Sequence, residues 1–310
     1  MATPAFRFSG HETFPCRYAW LPKAFNAITK NPALLADDEE AMVELGLGKN
    51  MVRAVRFWVQ VAGVATLAKK ANYQITDFGL SLLGRKGFDP FLEDIRTLWL
   101  IHWQLSTQVA EPLFAWDFLL NSWHQPEIRR SAVLDAFRAE ARHIERDLSD
   151  VTLEQHFDTF LHTYVPTRSR KGDIQEDNLD CPLVELELIE RVGERRVDGS
   201  GRLEPIYAFR REEKPEITPE LFIYCLDDFW NKKRSSEGTL TFRDVAVSAG
   251  SPGQIFKLPE ADLRRRLEAI DADSAGAFRY RESSSIQQLS RTLDSSPSRL
   301  LASVYGKEIA

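Results

Sequence analysis

The stretch that decides the fold runs from Asp37 to Leu83, DDEEAMVELGLGKNMVRAVRFWVQVAGVATLAKKANYQITDFGLSLL. Asp37-Asp38 supplies an N-cap, and Glu39 and Glu40 fall at the positive end of the helix dipole. Ala41, Met42, Val43 and Leu45 continue that helix to Gly46, a natural stop. After the short connection Leu47–Lys49, a second helix is expected from Asn50 to about Val61. Val52, Val55, Phe57, Val59 and Val61 make most of it apolar, while Arg53, Arg56 and Gln60 share a polar face at i, i+3, i+7 spacing. Gly63 ends it. Two short extended runs, Ala65–Ala68 and Tyr73–Thr76, flank a basic turn holding Lys69, Lys70 and Asn72. Thr76-Asp77 caps a last helix, Phe78–Leu83. Helix, glycine turn, helix and basic hairpin is the order of a winged helix-turn-helix.

The basic residues of this unit are placed where such a fold meets DNA. Lys49, Asn50 and Arg53 open the second helix, Arg56 lies on its polar face, and Lys69 and Lys70 occupy the wing tip. Gly46-Leu47-Gly48-Lys49-Asn50 superficially matches a phosphate loop. That pattern needs a glycine where Val43 stands, a Ser or Thr where Asn50 stands, and a strand before it. Anion binding at a helix N-terminus is the better account: free N–H groups of the first turn, with Lys49, face one phosphate. Asn50 suits either a helix cap or an adenine edge, and Arg53 either a guanine edge or a phosphate. The alternative is that the unit contacts protein and not DNA.

The rest of the chain bounds these readings. It has 310 residues, enough for two or three compact units, and seven Trp and nineteen Phe to build their cores. No run approaches the roughly 18 consecutive apolar residues of a membrane span, and Met1–Phe8 lacks the apolar core of a signal peptide. Cys16, Cys181 and Cys225 are far apart and odd in number, which argues against a disulfide framework or structural zinc and for a cytoplasmic setting. The net charge of -6 excludes a uniformly basic surface but not a local basic patch.

Three segments are expected: 1–89 with the winged helix, 90–166 all helical, and 167–310 mixed α and β. The fold class is therefore mainly α with small β-hairpins. In the middle, Asp94–Leu105, Pro112–Trp123, Pro126–Leu148 and Thr152–Tyr164 have helical periodicity, with Trp99, Trp103, Trp116 and Trp123 as core. The scattered histidines, His102, His124, His143, His156 and His162, form no ligand pair. In the last segment, Leu179–Ile189 is expected as a short helix, and Arg191–Val197 with Leu203–Arg210 as a hairpin. Glu220–Lys232 is expected as a helix. Phe242–Ser248, a turn at Gly250–Gly253, Pro259–Ile270 and Ala277–Arg281 suggest a second winged-helix-like unit whose helix carries Arg264, Arg265 and Arg266. The Ser-rich stretches Arg281–Leu289 and Leu293–Arg299 read as loop or fraying tail.

Candidate chemistry gathers in Phe8–Pro15, FSGHETFP, followed by Arg17. His11 and Glu12 suit acid–base work or a divalent metal. They suit equally a structural network, with Glu12 pinning Arg17 and His11 bonding a backbone carbonyl. Glu212-Glu213-Lys214, with Asp198 upstream, is a faint version of the Asp…Glu-x-Lys nuclease pattern. Asp173, Glu176, Asp177 and Asp180 form a second acidic cluster, read as linker and helix cap.

Taken together, Phe8–Pro15 with Arg17 and Trp20, Leu45–Val52 (LGLGKNMV) and Arg53–Trp58 (RAVRFW) resemble a bacterial family long known only as a domain of unknown function. Glu176–Ile189 (EDNLDCPLVELELI) is similar to it as well, and only Leu47 departs, standing where Val is common. The family includes the DNA-nicking component of the Ssp system, which replaces a non-bridging phosphate oxygen by sulfur on one DNA strand. The resemblance implies a role in DNA phosphorothioation and phage defence, with a single-strand nick as activity. It also implies DNA, a cysteine desulfurase, an ATPase and a sulfur-transfer enzyme as partners. Two functions follow as expectations. One is a metal-dependent nickase using Mg2+ or Mn2+, with His11 and Glu12 as its local candidates. The other is a non-catalytic DNA-binding or adaptor subunit that recruits the modification enzymes or regulates their operon. Lys49, Asn50, Arg53, Arg56, Lys69, Lys70 and Arg17 are the expected DNA contacts in both.

Overall fold

The computed structural model describes residues 5–166, 181–196, 201, 203–283, 287–292 and 296–307, with the Lys70 side chain left aside. Helices dominate, and the strands form small antiparallel sheets.

The N-terminal elements are α1 (Trp20–Lys30), α2 (Asp38–Leu45), α3 (Lys49–Val61), β1 (Ala65–Leu67), β2 (Tyr73–Ile75) and α4 (Asp77–Leu83). Their boundaries have local causes. The Asp37 carboxylate accepts the Glu40 N–H at the start of α2, and Gly46 closes it in the left-handed conformation (φ 65°). Gly48 precedes α3 in extended conformation, and its carbonyl accepts from the Val52 N–H. Asn50 therefore lies inside the first turn and is not the cap. β1 and β2 pair with Ala65 opposite Ile75 and Leu67 opposite Tyr73, and a 3-10 turn, Lys69–Ala71, joins them. The Thr76 hydroxyl accepts from Gly79 and donates to the Gly63 carbonyl, capping α4 and fixing it to the end of α3. α1 packs on α3 and β2.

The helical segment contains α5 (Ile95–Ser106), α6 (Phe114–Asp117), α7 (Arg130–His143) and α8 (Asp150–Tyr164). Trp99, Trp103, Trp116 and Trp123 are all buried, as expected. The single helix expected over Pro112–Trp123 is instead the four residues of α6 running into a π-helical turn, Phe118–Ser122. The wider turn leaves the Leu120 carbonyl to a tertiary donor, the buried ammonium of Lys257 at 2.5 Å. The helix expected over Pro126–Leu148 shortens to α7. Its start is fixed by tertiary bonds: the Ser131 N–H donates to Glu204, and Ile128 bridges Tyr207.

In the last segment a 3-10 turn, Pro182–Leu186, replaces the helix expected over Leu179–Ile189. Glu187 adopts a left-handed conformation (φ 46°) that ends the turn, and Ile189 then begins a strand. β3 (Ile189–Arg196) and β4 (Leu203–Phe209) form the expected hairpin, with a bulge between Arg191 and Gly193. α9 (Pro219–Lys233) follows. β5 (Thr239–Thr241), α10 (Phe242–Val247), α11 (Pro252–Ile255), α12 (Glu260–Asp273), β6 (Phe278–Glu282), β7 (Gln287–Arg291) and α13 (Pro297–Val304) complete the chain. The sheet order is β5-β7-β6. The Ser-rich stretches expected as loop or tail thus carry parts of β6, β7 and α13. Buried Leu289, Leu301 and Val304 hold these elements down. Asp173, Glu176, Asp177, Asp180 and Asp198 lie outside the described residues.

Buried apolar side chains from all three segments, Phe8 through Val304, form one continuous cluster.

Candidate nucleic-acid interface

The α3 helix buries Val52, Val55, Phe57, Trp58 and Val59 and turns its basic side chains the other way. Lys49, Asn50 and Arg53 are exposed, and Arg56 is partly buried. Lys49, Arg53 and Arg56 follow one another at helical spacing, so their charges share a face. All three meet one carboxylate. Asp38, the first residue of α2, lies 3.3 Å from Lys49 Nζ, 4.0 Å from Arg53 Nη2 and 2.7 Å from Arg56 Nη1. The hydrogen bond from Arg56 holds the Asp38 carboxyl below the usual carboxylate range. At the N-terminus of α3, Phe14, Gly48, Lys49, Asn50 and Met51 line a shallow depression of about 320 Å³. Among the described residues no side chain caps this helix end, and its first-turn N–H groups have no intrahelical acceptor. Lys69 is exposed in the turn between β1 and β2. Arg17 lies with its guanidinium 5.7 Å from the centre of the Trp20 ring.

His11 and Glu12 occupy a different environment. His11 is only 3 % exposed. Its ring stacks on His156 of α8 at 5.3 Å and meets Phe57 of α3 edge-on at 5.6 Å. Its Nε2 is 3.1 Å from His156 Nδ1, and its Nδ1 is 3.0 Å from the Thr159 hydroxyl. The Ala115 N–H donates to His156 Nε2 at 3.0 Å. The Thr159 hydroxyl donates onward to the Gln155 carbonyl. The Thr13 N–H also points at His11 Nδ1, at 3.1 Å. Burial pushes His11 down to about 4 and His156 well below the usual imidazole range. Glu12 and Thr13 both adopt left-handed conformations (φ 49° and 65°), forming the tight turn that presents His11 to α8. The Trp58 indole N–H holds the end of this turn by donating to the Phe14 carbonyl at 2.9 Å.

Two other sequence candidates are committed to tertiary structure. Lys214 is buried, and its ammonium donates to the Arg210 and Glu212 carbonyls, at 2.8 and 3.3 Å. Glu212 pairs with Arg210 and Glu213 with Arg265, so Glu212-Glu213-Lys214 is tied into its own loop and α12. On α12, Arg264 pairs with Glu260 and Glu282, and Arg265 with Glu213 and Asp262. Arg266 bonds Asp262 and the carbonyls of Ile217 and Lys214.

Both His11 ring nitrogens are engaged by neighbours inside the core, which leaves the ring no lone pair for a divalent metal. Among the described residues no three His, Cys, Asp or Glu side chains gather as a metal-binding group. Sequence reasoning missed Asp38 as partner of the basic face, having read it as a cap, and missed His156 and Thr159 as partners of His11. A helical period on α8 places Thr159 near His156, but no local signal joins either to His11.

This is a mainly helical protein with small antiparallel sheets, in which a basic helix face is set beside an uncapped helix N-terminus. The chain belongs to the family described as "Protein of unknown function (DUF4007)", whose model matches residues 8–305. Two crystal structures of SspB share the fold. One, with magnesium ion bound, matches at a TM-score of 0.79 and 26% identity, covering 95% of this chain and 85% of that one. The other matches at 0.78 with the same identity and coverage. No curated protein matches by sequence. Among the described residues no helix is long and apolar enough to cross a membrane.

Proposed function

We propose that this protein is a DNA-binding component of an Ssp-type phosphorothioation and phage-defence system. In this reading residues 1–89 carry a winged helix whose recognition helix is α3. The observation that carries it is the convergence of Lys49, Arg53 and Arg56 on one helix face beside the uncapped N-terminus of α3. Phosphate oxygens are recognised by such N–H groups and cations together. Asn50 is exposed beside them, free of capping duty, and suits a base edge. Lys69 and Lys70 at the hairpin turn extend the contact, and Arg17 adds a further cation. The SspB likeness supports the pathway, a cytoplasmic setting, and a desulfurase, an ATPase and a sulfur-transfer enzyme as partners.

Binding of a labelled duplex, measured by anisotropy across a salt series, tests the reading. Lys49→Ala/Arg53→Ala is expected to weaken binding at low salt and to flatten the log–log salt slope by about two. Equal binding by wild type and this variant rejects the interface.

The second reading is a nickase, favoured by the likeness to magnesium-bound SspB. A plasmid relaxation assay with Mg2+ or Mn2+ tests it. Nicking that survives Glu12→Ala removes Glu12 from the chemistry, and absence of nicking by wild type leaves the binding function alone.

A further inference from the structure

Asp38 has no capping work to do in α2, because the capping hydrogen bond belongs to Asp37. Glu39 and Glu40 still serve the helix dipole without it. Yet Asp38 is the residue on which Lys49, Arg53 and Arg56 converge, using both of its carboxylate oxygens. The three cations differ in freedom. The Arg56 side chain is only 20% exposed and bonds Asp38 at 2.7 Å, so it is the most constrained of the three. Lys49 and Arg53 are 56% and 45% exposed and reach Asp38 only at 3.3 and 4.0 Å. Long, exposed side chains held so loosely are free to turn to another anion.

We propose that Asp38 is a built-in counter-anion that competes with the DNA backbone for Lys49 and Arg53, and so sets the affinity and salt dependence of the α3 face. The proposal rests on the reading of that face as a nucleic-acid contact. A phosphate seated at the start of α3 takes over Lys49 and Arg53, while Asp38 retains Arg56. Giving up the Asp38 contacts of Lys49 and Arg53 is the cost of binding. In a water-like dielectric one such exposed ion pair is worth about three- to sixfold in affinity. The exchange makes the face selective for dense phosphate charge over isolated anions, because one phosphate alone gains little by replacing a carboxylate already in place.

The experiment is duplex binding by anisotropy over a salt series. It compares wild type, Asp38→Asn, Lys49→Ala/Arg53→Ala and the triple variant. Asp38→Asn is expected to bind about three- to sixfold tighter at low salt, with a salt slope steeper by about one. The triple variant is expected to bind no tighter than the double variant, because the gain passes through those two cations. Asp38→Ser, which also leaves the Asp37 cap intact, is expected to repeat the gain, and urea midpoints check that both single variants are folded. Binding by folded Asp38→Asn or Asp38→Ser that equals or falls below wild type overturns the competition, while the interface stands if the double variant is impaired. A gain that persists in the triple variant also overturns it. If wild type and Asp38→Asn both fail to bind at low salt, the interface itself falls and the competition with it.

Discussion

His11 is held as a neutral imidazole by its burial in the core. Thr13 and Ala115 present backbone N–H groups to the two ends of the His11–His156 pair, whose rings meet at 3.1 Å. Removing the ring by His11→Ala leaves His156 Nδ1 in the core and the part-buried Thr13 N–H without their partner. The expected cost is about 2–4 kcal/mol, from those groups and the cavity, and urea unfolding measures it. An unchanged midpoint would mean that the ring carries no structural weight. The pH dependence follows from the same chemistry. His11 is held down to about 4 and His102, bonded to Tyr164 and the Ile255 carbonyl, to about 3. Unfolded imidazoles titrate near ~6.5. Below that pH the unfolded chain binds protons that the native rings refuse. Stability therefore falls as pH drops from about 6.5, and the loss continues until the native rings protonate near 3–4. Urea midpoints at pH 7 and pH 5 are expected to show the drop, and His102→Gln to show a smaller one.

At the scale of elements, the hairpin and α4 are held to α3 by one hydroxyl and one missing side chain. The Thr76 hydroxyl joins the start of α4 to the Gly63 carbonyl, and a Cβ at Gly79 would run into the Val64 carbonyl. Thr76→Ala is expected to cost about 1–2 kcal/mol, and Gly79→Ala about 1–3 kcal/mol by overpacking. Hydrogen exchange should show the loss first in β1, β2 and α4. Protection lost evenly along the chain would contradict this local role. These elements were legible because their signals are local: the caps Asp37 and Thr76, the stop Gly46 and the apolar period of α3 all lie within a few residues of what they control. The misread elements have distant causes. Lys257 reaches the Leu120 carbonyl in the π turn, and Glu204 anchors the start of α7. Each partner is far away in the chain, and no period announces it.

Over the whole molecule, the residue types of the interface were readable and their tertiary partners were not. Lys49, Arg53 and Arg56 announce a basic face by spacing alone, but Asp38 joins them only once α2 lies against α3. His11 reads as chemistry until His156, 145 positions later, appears beside it. The division into segments 1–89, 90–166 and 167–310 follows changes of pattern along the chain, whereas burial runs across them. Arg7 bridges Leu113, His11 meets α8, His102 donates to the Ile255 carbonyl, and Thr97 on α5 bonds Tyr305 just after α13. Three folding units would need their own cores, and these links instead place buried polar bonds between segments, where opening exposes unpaired groups. The expectation is one cooperative unfolding transition. Tryptophan fluorescence, reporting Trp20 and Trp58 before residue 90 and Trp230 after residue 166, should share a urea midpoint with far-ultraviolet circular dichroism. For a chain of 310 residues coincidence is a demanding result, because chains of this size usually populate intermediates. Two separated midpoints would mean that the pattern changes near residues 89 and 166 are boundaries of folding, and that the links across them are weaker than the cores they join.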